Sequence, residues 1–468
     1  MEFTIGCLSD PKDYANMETA IANYTHADDS FMVTKNLSCR HPGVVIAKTK
    51  DQLQHFQAEV LNLTTATPFV PRFLAIKPEL LASITQEHLT TFSDILPCDS
   101  FKELCQKIVC RLQRTHAVKQ CINQSKYSYF VHGISDAWQK TLFELTEAAL
   151  FSSSPILITG ANGTGKELAA QWINDVSLQV PPPSSSSTST SAKTLTTVDC
   201  TGLSKELMGS ELFGHAKGAF TGAHYNREGA LDLANNGTLF LDEIGEMDTP
   251  LQAGLLRVLQ EGTYKPVGSN TWKRSNFRLI SATNRNLFEQ QKTGQFRQDL
   301  YYRLSGWECK LPSLQERLAD IVPLARLFIE NATKKKITLD SCVESFLLTR
   351  EYPGNIRELK HLCERIANRF VGGERITLAD IPCSDLKDFF NPEHNQLLQL
   401  DNLVEMAVFS GINLKALQQR VNDTAKAVAI KHYDGNLKAA AKILGVHERT
   451  LQLHKARSKS DMASNNAC

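Results

Sequence analysis

Two features that define common classes of protein are missing from this sequence: paired cysteines and long apolar runs. Its 12 cysteines include no CxxC pair, so neither a zinc module nor a disulfide framework is indicated, and we expect most of them to be reduced. No apolar run approaches the roughly 18 residues of a membrane span, and the amino terminus lacks the pattern of a secretory signal. We therefore expect a soluble, cytoplasmic protein without a membrane partner.

A surplus of charge is missing as well. The sequence has 51 basic and 50 acidic residues among 468, which gives a formal net charge of +1. Overall charge therefore indicates no class of partner, and any contact with nucleic acid requires a local basic patch. The length is enough for about three domains.

The first part of the chain, residues 1–120, mixes short apolar runs with helical patterns. This mixture predicts a small α/β regulatory domain. Its last helix begins with a capping box formed by Ser100 and Glu103, and the helical spacing of apolar residues predicts that it ends near Arg114.

Three further parts follow. A large α/β domain is predicted over residues 127–382, with a core that reaches about residue 320 and a helical lid over 321–382. Within it, the low-complexity stretch Pro181–Ala192 predicts a flexible surface loop. Residues 383–397 are predicted to be a polar linker, and residues 398–468 an all-α domain.

A glycine-rich loop lies in the large domain after a predicted helix, Trp138–Phe151, and a short apolar strand, Pro155–Thr159. Between a strand and a helix, the pattern GxxxxGK indicates a phosphate-binding loop, because its glycines let backbone N–H groups face phosphate oxygens. We expect Lys166 to reach the β- and γ-phosphates. Glu167 stands where a Ser or Thr hydroxyl usually binds Mg²⁺. The predicted nucleotide-binding residues are Gly160, Ala161, Asn162, Gly163, Thr164, Gly165, Lys166 and Glu167.

Two more predicted strands end in polar side chains that suit ATP hydrolysis. The apolar run Thr238–Leu241 is followed by Asp242, which can hold Mg²⁺ directly or through water, and by Glu243, which can polarise the attacking water. The run Leu279–Thr283 is followed by Asn284, whose amide is suited to sensing the γ-phosphate.

Three arginines are candidates for contact with a phosphate, because a planar guanidinium stabilises the charge that develops during phosphoryl transfer. Arg297 and Arg303 lie in QFRQDLYYRL and are candidate arginine fingers. Arg357 lies in YPGNIREL, near the start of a predicted lid helix. The alternative for each arginine is an ordinary surface salt bridge.

The segment GAFTGA, residues 218–223, lies between the glycine-rich loop and the acidic pair. Two glycines and two alanines around one Phe and one Thr bury little surface, and glycine adds a cost in backbone entropy. The composition predicts a mobile loop whose apolar tip contacts another molecule. The alternative is an ordinary surface turn.

Seven segments together resemble the AAA+ domain of bacterial enhancer-binding proteins, which are ATP-dependent activators of RNA polymerase carrying sigma-54. In the family's order, the segments are GANGTGKE, SELFGHAKGAFTGA, GTLFLDEIGEM, RLISATNRNL, FRQDLYYRL, LPSLQERLADI and YPGNIREL. The resemblance implies an AAA+ P-loop ATPase that uses ATP and Mg²⁺. It also implies a ring, usually a hexamer, in which Arg297 and Arg303 act on the neighbouring subunit's ATP.

The same resemblance assigns the GAFTGA segment to contact with sigma-54. The residues concerned are Gly218, Ala219, Phe220, Thr221, Gly222 and Ala223. The resemblance implies that Phe220 and Thr221, at the tip, press on sigma-54.

Some positions can be compared with the family's usual residues. Glu167 agrees with the family, whereas Ala161 and Asn162 stand where Glu and Ser are common. Asp199 stands where many members have an asparagine that pairs with the catalytic glutamate. An acid there would face Glu243 with like charge, which could raise a carboxyl pKa or alter the response of the glutamate to nucleotide.

The carboxy-terminal part contains a basic helical hairpin. Residues 434–451 predict a helix, a tight turn at Gly445 and a second helix, and residues 431–459 hold seven Lys or Arg against two Asp or Glu. The segment resembles the Fis-type helix-turn-helix, which implies enhancer DNA as a partner and a dimer formed through the preceding helix, Leu414–Tyr433. A hairpin without a role in DNA binding is the alternative. The predicted DNA-binding residues are His447, Arg449, Thr450, Gln452 and His454.

The end of the first domain, FSDILPCDSFKELCQKIVCRLQR, is similar to the last strand and helix of a response-regulator receiver. A receiver needs a phosphorylatable aspartate at the end of its middle strand, but Ala47 and Lys48 stand there and Asp51 comes too late. Cys98 also occupies the position expected for a receiver's lysine. We predict a degenerate receiver-like or otherwise unassigned regulatory domain that aspartyl phosphorylation does not control.

The leading interpretation is a sigma-54-dependent transcriptional activator. It binds enhancer DNA, self-associates to dimer and hexamer, and hydrolyses ATP to remodel the closed complex of sigma-54 RNA polymerase into an open complex. A second interpretation is a DNA-binding regulator that binds nucleotide without productive hydrolysis, which Asp199 could permit. A third is an AAA+ remodeller of other proteins, which the GAFTGA segment and the helix-turn-helix disfavour.

Overall fold

The computed structural model describes residues 4–6, 43–47, 49–64, 71–124, 128–178, 194–201, 205–386, 389, 414–432 and 436–451. The chain forms two compact units, residues 1–382 and 383–468. The predicted loop Pro181–Ala192 lies outside the described residues, as does most of the predicted linker. Among the helices that the structure describes, none has both the length and the apolar character needed to cross a membrane.

The first unit begins with a parallel four-stranded sheet in the order β1-β2-β3-β4. Side chains alternate between its two faces, so Val44, Ile46 and Phe73 belong to one apolar cluster while Val45 and Leu74 belong to another. The strands are β1 (Thr4–Gly6), β2 (Gly43–Ala47), β3 (Arg72–Ile76) and β4 (Asp94–Pro97), and the helices are α1 (Lys50–Thr64), α2 (Gln86–Thr91) and α3 (Phe101–Asn123).

Helix α3 begins as predicted and ends later than predicted. The Ser100 hydroxyl accepts a hydrogen bond from the Glu103 amide at 3.2 Å, which caps the first turn. The helix then continues past Arg114 to Asn123. The reason is that its buried stripe continues through Thr115, Val118 and Cys121, although the sequence between them is polar.

A second parallel sheet, in the order β11-β5-β10-β7-β6, forms the centre of the large domain. Strand β5 begins one residue after the predicted start, and its residues Ile156, Leu157 and Ile158 are fully buried, as expected for a strand covered on both faces. The strands of this sheet are β5 (Ile156–Thr159), β6 (Leu195–Asp199), β7 (Thr238–Asp242), β10 (Arg278–Thr283) and β11 (Trp307–Lys310); β8 (Thr263–Tyr264) and β9 (Lys273–Arg274) form a separate antiparallel pair.

Helices come before and between the strands of this sheet along the chain. The pattern predicted over Trp138–Phe151 starts two residues earlier, because the Ser135 hydroxyl caps it by accepting a hydrogen bond from the Trp138 amide. The helices are α4 (Ser128–Val131), α5 (Asp136–Phe151), α6 (Lys166–Leu178), α7 (Lys205–Phe213), α8 (Ala230–Leu233), α9 (Thr249–Glu261), α10 (Leu287–Lys292) and α11 (Gln298–Leu304).

The lid follows the core and is mainly helical, as its sequence pattern predicts. A 3-10 segment, Gln315–Asp320, leads into it, and the short strands β12 (Thr338–Leu339) and β13 (Arg375–Ile376) form a parallel pair within it. Its helices are α12 (Ile321–Thr333), α13 (Ser341–Thr349) and α14 (Asn355–Arg369).

The second unit contains a short helix, α15 (Cys383–Leu386), in the segment predicted to be a linker. Helices α16 (Leu414–His432) and α17 (Leu437–Leu444) follow, and Gly445 then adopts a left-handed conformation with φ +62°. A further helix begins at Glu448. Buried Ala429, Ala440 and Ala441 let these helices approach each other closely.

Candidate functional site

The glycine-rich loop connects β5 to α6, so it lies at the carboxyl edge of the central sheet. Gly163 (φ +75°) and Gly165 (φ +103°) both have the left-handed conformations that favour glycine. A Cβ placed on Gly165 would meet no heavy atom within 4 Å, so this side of the loop is open. The loop therefore has the shape and the free space of a phosphate cradle.

Lys166 begins α6 and is almost fully buried. Its ammonium Nζ donates to the Gly160 carbonyl at 3.2 Å and lies 2.8 Å from Oε1 of Glu243. Glu243 follows β7 in a left-handed conformation with φ +50°. Such a conformation is uncommon for a residue other than glycine, and here it turns the carboxylate toward the phosphate loop.

Asn284 closes a ring of contacts across the site. Its backbone amide donates to Oε2 of Glu243 at 2.9 Å, and its side-chain Nδ2 donates to Oδ1 of Asn162 at 2.9 Å. The structure therefore brings together Asn162, Lys166, Glu243 and Asn284, which the sequence predicts as parts of one nucleotide site.

Asp242 and Asp199 lie side by side. Strands β7 and β6 are parallel neighbours, and the two aspartates are paired in register. Burial raises the pKa of Asp242 above its usual value, and the charges of Glu243 and, less strongly, Asp199 raise it further. The acid at position 199 thus acts on the pKa of Asp242, whereas the Glu243 carboxylate is paired with Lys166.

The Asp199 carboxylate also has local partners. Its Oδ1 accepts hydrogen bonds from the backbone amide of Thr201 at 2.8 Å and from the Thr201 hydroxyl at 2.7 Å. These bonds hold the side chain in a turn at the end of β6, where it is exposed.

The residues of this site fit MgATP. The loop offers backbone N–H groups and one ammonium for the phosphates, and Asp242 offers a half-buried carboxylate of the kind that Mg²⁺ binds directly or through water. Mg²⁺ would neutralise phosphate charge there, Lys166 would bind the phosphates, and Glu243 would be placed to accept the proton of water.

The lid contacts the same loop through its backbone. The Gly163 carbonyl accepts hydrogen bonds from the amides of Ile356 (3.0 Å) and Arg357 (3.3 Å), in the first turn of α14. Gly163 has to be a glycine, because a Cβ there would overlap the carbonyl oxygen of Gly354. The exposed Arg357 side chain is thereby placed next to the loop, and its contact with a nucleotide stays a prediction.

The two candidate arginine fingers lie at α11, Arg297 as the residue before the helix and Arg303 within its last turn. The guanidinium of Arg297, which precedes the helix, binds both carboxylate oxygens of Asp299, at 3.0 and 2.7 Å. Arg303 is exposed in the last turn. Among the described residues, no hydrogen bond joins either arginine to the phosphate loop of the same chain.

The GAFTGA segment forms a defined turn, although its composition predicts no fixed conformation. The Gly218 amide donates to the Ala223 carbonyl at 2.8 Å, and the Ala223 amide donates to the Phe220 carbonyl at 3.0 Å. The Phe220 ring packs edge-on against His215, with the ring centroids 5.0 Å apart, and Thr221 is exposed. Backbone hydrogen bonds, which composition does not reveal, shape this loop.

In the second unit, the turn at Gly445 is followed by residues predicted to face DNA. His447, Arg449 and Thr450 are exposed. Gln452 and His454 lie outside the described residues.

Two family comparisons agree with this geometry. Residues 131–310 match the family described as Sigma-54 interaction domain, and residues 315–394 match the AAA+ ATPase lid domain. The transcriptional regulatory protein ZraR of Salmonella typhimurium is 35% identical over 364 residues, which cover 76% of this chain and 74% of ZraR. The chain belongs to the bacterial enhancer-binding proteins, the sigma-54-dependent AAA+ transcriptional regulators. Its core and lid have the AAA+ P-loop ATPase fold.

Other relatives match a smaller part of their own length. The Nif-specific regulatory protein of Bradyrhizobium diazoefficiens is 43% identical over 236 residues, which are 50% of this chain and 38% of that protein. The nitric oxide reductase transcription regulator NorR2 of Cupriavidus necator is 36% identical over 329 residues, 68% of this chain and 61% of NorR2. This chain thus covers less than two thirds of these two relatives.

Among solved structures, NtrX from Brucella abortus in complex with ADP is similar to this chain. The two share 20% sequence identity and a TM-score of 0.47, over 97% of this chain and 98% of NtrX.

Proposed function

We propose that this protein is an ATP-dependent activator of sigma-54 RNA polymerase. It hydrolyses ATP at the site between core and lid, and it uses the GAFTGA loop to remodel the closed promoter complex into an open one. The observation that carries the proposal is the convergence of Lys166, Glu243 and Asn284 at one sheet edge, in the chain that also bears the GAFTGA loop.

The chemistry assigned to each residue follows from its position. Lys166 binds the β- and γ-phosphates, and Asp242 holds Mg²⁺. Glu243 orients and deprotonates the attacking water, since phosphate binding to Lys166 leaves this carboxylate without its cation. Asn284 links Glu243 to the phosphate loop, so it can report whether a γ-phosphate is present.

Hydrolysis is proposed to require a second subunit. Arg297 is held by Asp299 of its own chain, and Arg303 is exposed on the same helix. The Arg303 guanidinium can therefore face a neighbouring subunit's nucleotide in a ring, and the Arg297 guanidinium would exchange Asp299 for that nucleotide. There both would stabilise charge on the transferred phosphoryl group. A hexameric ring is the assembly that the family resemblance implies.

The two terminal parts of the chain are proposed to bind the protein to enhancer DNA and to control its ATPase. The basic hairpin of the second unit is proposed to bind enhancer DNA as a dimer, through His447, Arg449 and Thr450 and the following Gln452 and His454. The first domain is proposed to regulate the ATPase without aspartyl phosphorylation, because β2 ends at Ala47. A phosphodonor that labels this domain would contradict the second assignment.

One experiment tests the whole proposal. ATP-dependent open-complex formation by sigma-54 RNA polymerase is measured with the wild type, Thr221→Ala and Glu243→Gln, and ATPase activity is measured in parallel. We expect Thr221→Ala to keep ATPase activity and lose promoter opening, because Thr221 is exposed at the loop tip. We expect Glu243→Gln to bind ATP and fail to turn it over.

Thr338→Ala is the matched control, because Thr338 is an exposed threonine in the lid, outside the loop. Normal promoter opening by Thr221→Ala would contradict the role of the loop. If the wild type binds ATP and DNA without hydrolysing ATP, the alternative of a non-hydrolysing DNA-binding regulator replaces the proposal.

A further inference from the structure

We propose that Asn355 is a positioning residue for the nucleotide site, which fixes the phosphate loop against the lid through its side-chain amide. The proposal rests on the ATPase function proposed above and adds a residue that contacts neither the phosphates nor the attacking water. It assigns a role to a side chain that the sequence pattern YPGNIREL does not single out from its neighbour Arg357.

The Asn355 side chain bridges two separate parts of the chain. Its Nδ2 donates to the backbone carbonyl of Asn162, in the phosphate loop, at 2.9 Å. Its Oδ1 accepts a hydrogen bond from the backbone amide of Leu314, between β11 and the lid, at 2.8 Å. A single buried carboxamide thus joins the nucleotide loop to the junction of core and lid, and only 4% of the residue is exposed.

The backbone at this position explains why an asparagine stands here. Asn355 has φ +52°, in the left-handed region that asparagine enters more readily than most side chains. Glycine would adopt the same conformation but has no amide. The position therefore needs both a tolerance for this conformation and a side chain that donates at one end and accepts at the other.

The bond reaches the reacting groups through Asn162. The carbonyl of Asn162 accepts from Asn355, and its side-chain Oδ1 accepts from Nδ2 of Asn284. The Asn284 amide in turn donates to Glu243. A shift of the lid at Asn355 consequently displaces the phosphate loop, whereas Glu243 keeps its own contacts with Lys166 and the Asn284 amide.

The variant Asn355→Asp distinguishes the two hydrogen bonds of the Asn355 side chain. Aspartate has nearly the same shape and also tolerates the left-handed region, and its carboxylate still accepts from the Leu314 amide. It has no donor for the Asn162 carbonyl and sets a negative charge against that oxygen. The substitution thus breaks the contact with the phosphate loop while it leaves the contact with the junction in place.

The control is Asn331→Asp. Asn331 lies in the lid helix α12, and its Nδ2 donates to the Leu327 carbonyl at 2.7 Å, so the same atom is removed from a bond that does not reach the phosphate loop. The full-length chain is used for each variant. The measurements are the dissociation constant of a fluorescent ATP analogue, KM and kcat for ATP hydrolysis, and the melting temperature.

We expect Asn355→Asp to raise KM and the dissociation constant about tenfold, which is the typical consequence of leaving one buried polar group without its partner. We expect kcat to change less than threefold, because Lys166 and Glu243 are unaltered. Asn331→Asp should leave the dissociation constant and KM within twofold of the wild type. A residue that merely stabilised the lid would not produce this split between KM and kcat.

An unchanged dissociation constant in folded Asn355→Asp, or an equal increase in Asn331→Asp, would overturn the proposal. If Asn355→Asp does not fold, Asn355→Gly replaces it, since glycine keeps the backbone conformation and removes both side-chain bonds. Failure of both to fold would show a structural role and overturn the positioning role. If the wild type binds the analogue without hydrolysing ATP, the proposed function fails, while the dissociation constants still decide the role of Asn355.

Discussion

The ammonium group of Lys166 and the carboxylate of Glu243 form an ion pair with a separation of 2.8 Å, and both side chains are mostly buried. Each ion stabilises the other in surroundings where an unpaired charge is costly. A phosphate bound at Lys166 would therefore free Glu243 for the role proposed for it, the activation of water.

Glu243→Gln tests this link. The amide keeps the shape of the side chain but neither attracts Lys166 as strongly nor accepts the proton of water. We expect ATP to bind at least as tightly as to the wild type and turnover to fall by about 10² to 10⁴, the usual contribution of a general base. Binding is measured with a fluorescent ATP analogue and turnover by phosphate release.

The matched control for this prediction is Glu246→Gln. Glu246 is an exposed acid three residues further on that pairs with Arg285 at 2.5 Å. Its substitution should leave ATP binding and turnover within about twofold, as for most exposed ion pairs. Turnover by Glu243→Gln within tenfold of the wild type would rule out the base role.

Gly222→Ala probes the shape of the GAFTGA turn. Gly222 has φ +101°, and a Cβ there would meet no heavy atom within 4 Å, so alanine adds backbone strain without a clash. The strain is about 1–2 kcal/mol. We expect the loop to change its conformation, so that promoter opening is lost while ATPase activity and melting temperature stay close to wild type.

Gly373→Ala is the control for loop strain, since Gly373 has φ +106° and equally open surroundings in the lid. It should open promoters normally. Equal loss of promoter opening in both variants would mean that the effect does not come from the GAFTGA loop.

The thiol of Cys200 lies beside the acidic cluster and should be chemically inert. Burial raises its pKa to about 12, and the charges of Asp199, Asp242 and Glu243 contribute to the shift. Because only the thiolate is alkylated, the raised pKa leaves the protonated, unreactive form dominant at pH 8. Mass spectrometry after brief iodoacetamide treatment of the native chain should find Cys110, Cys342 and Cys383, which are exposed, alkylated ahead of Cys200.

Unfolding in urea should abolish this difference, because every cysteine then becomes accessible. Rapid alkylation of Cys200 in the native chain would show that the end of β6 opens to solvent.

The local pattern of apolar residues predicts those parts of the site that come directly after a strand. The phosphate loop, Asp242, Glu243 and Asn284 each come directly after an apolar run, so their position at the sheet edge could be read from the sequence. The contacts between these parts could not be read from the sequence. The in-register pair of Asp199 and Asp242 depends on the strand order β11-β5-β10-β7-β6, which local periodicity does not encode.

The spacing of apolar residues along the sequence also does not predict how the first domain joins the large domain. Helix α3 has Ile108 and Leu112 in the core of the first domain and Cys121 in a core of the large domain. Ion pairs reinforce this shared helix: Arg111 binds Asp94 at 2.6 Å, and Glu147 of α5 lies 2.7 Å from Arg114 and 3.8 Å from Arg111. One uninterrupted helix therefore belongs to both domains.

Glu147→Gln should loosen this junction. Glu147 faces two arginines and is largely buried, so removal of its charge takes the carboxylate on α5 away from both, while Arg114 keeps its contact with the Phe151 ring. We expect a loss of about 1–2 kcal/mol in stability, given the partial exposure of the arginines. Urea unfolding of the full chain measures the loss, and hydrogen exchange of the α3 amides should become faster.

Glu261→Gln, which removes an exposed partner of Arg257, is the control and should cost less than about 0.5 kcal/mol. Equal stability of the two variants, with unchanged exchange in α3, would show that apolar packing alone holds the first domain to the large one.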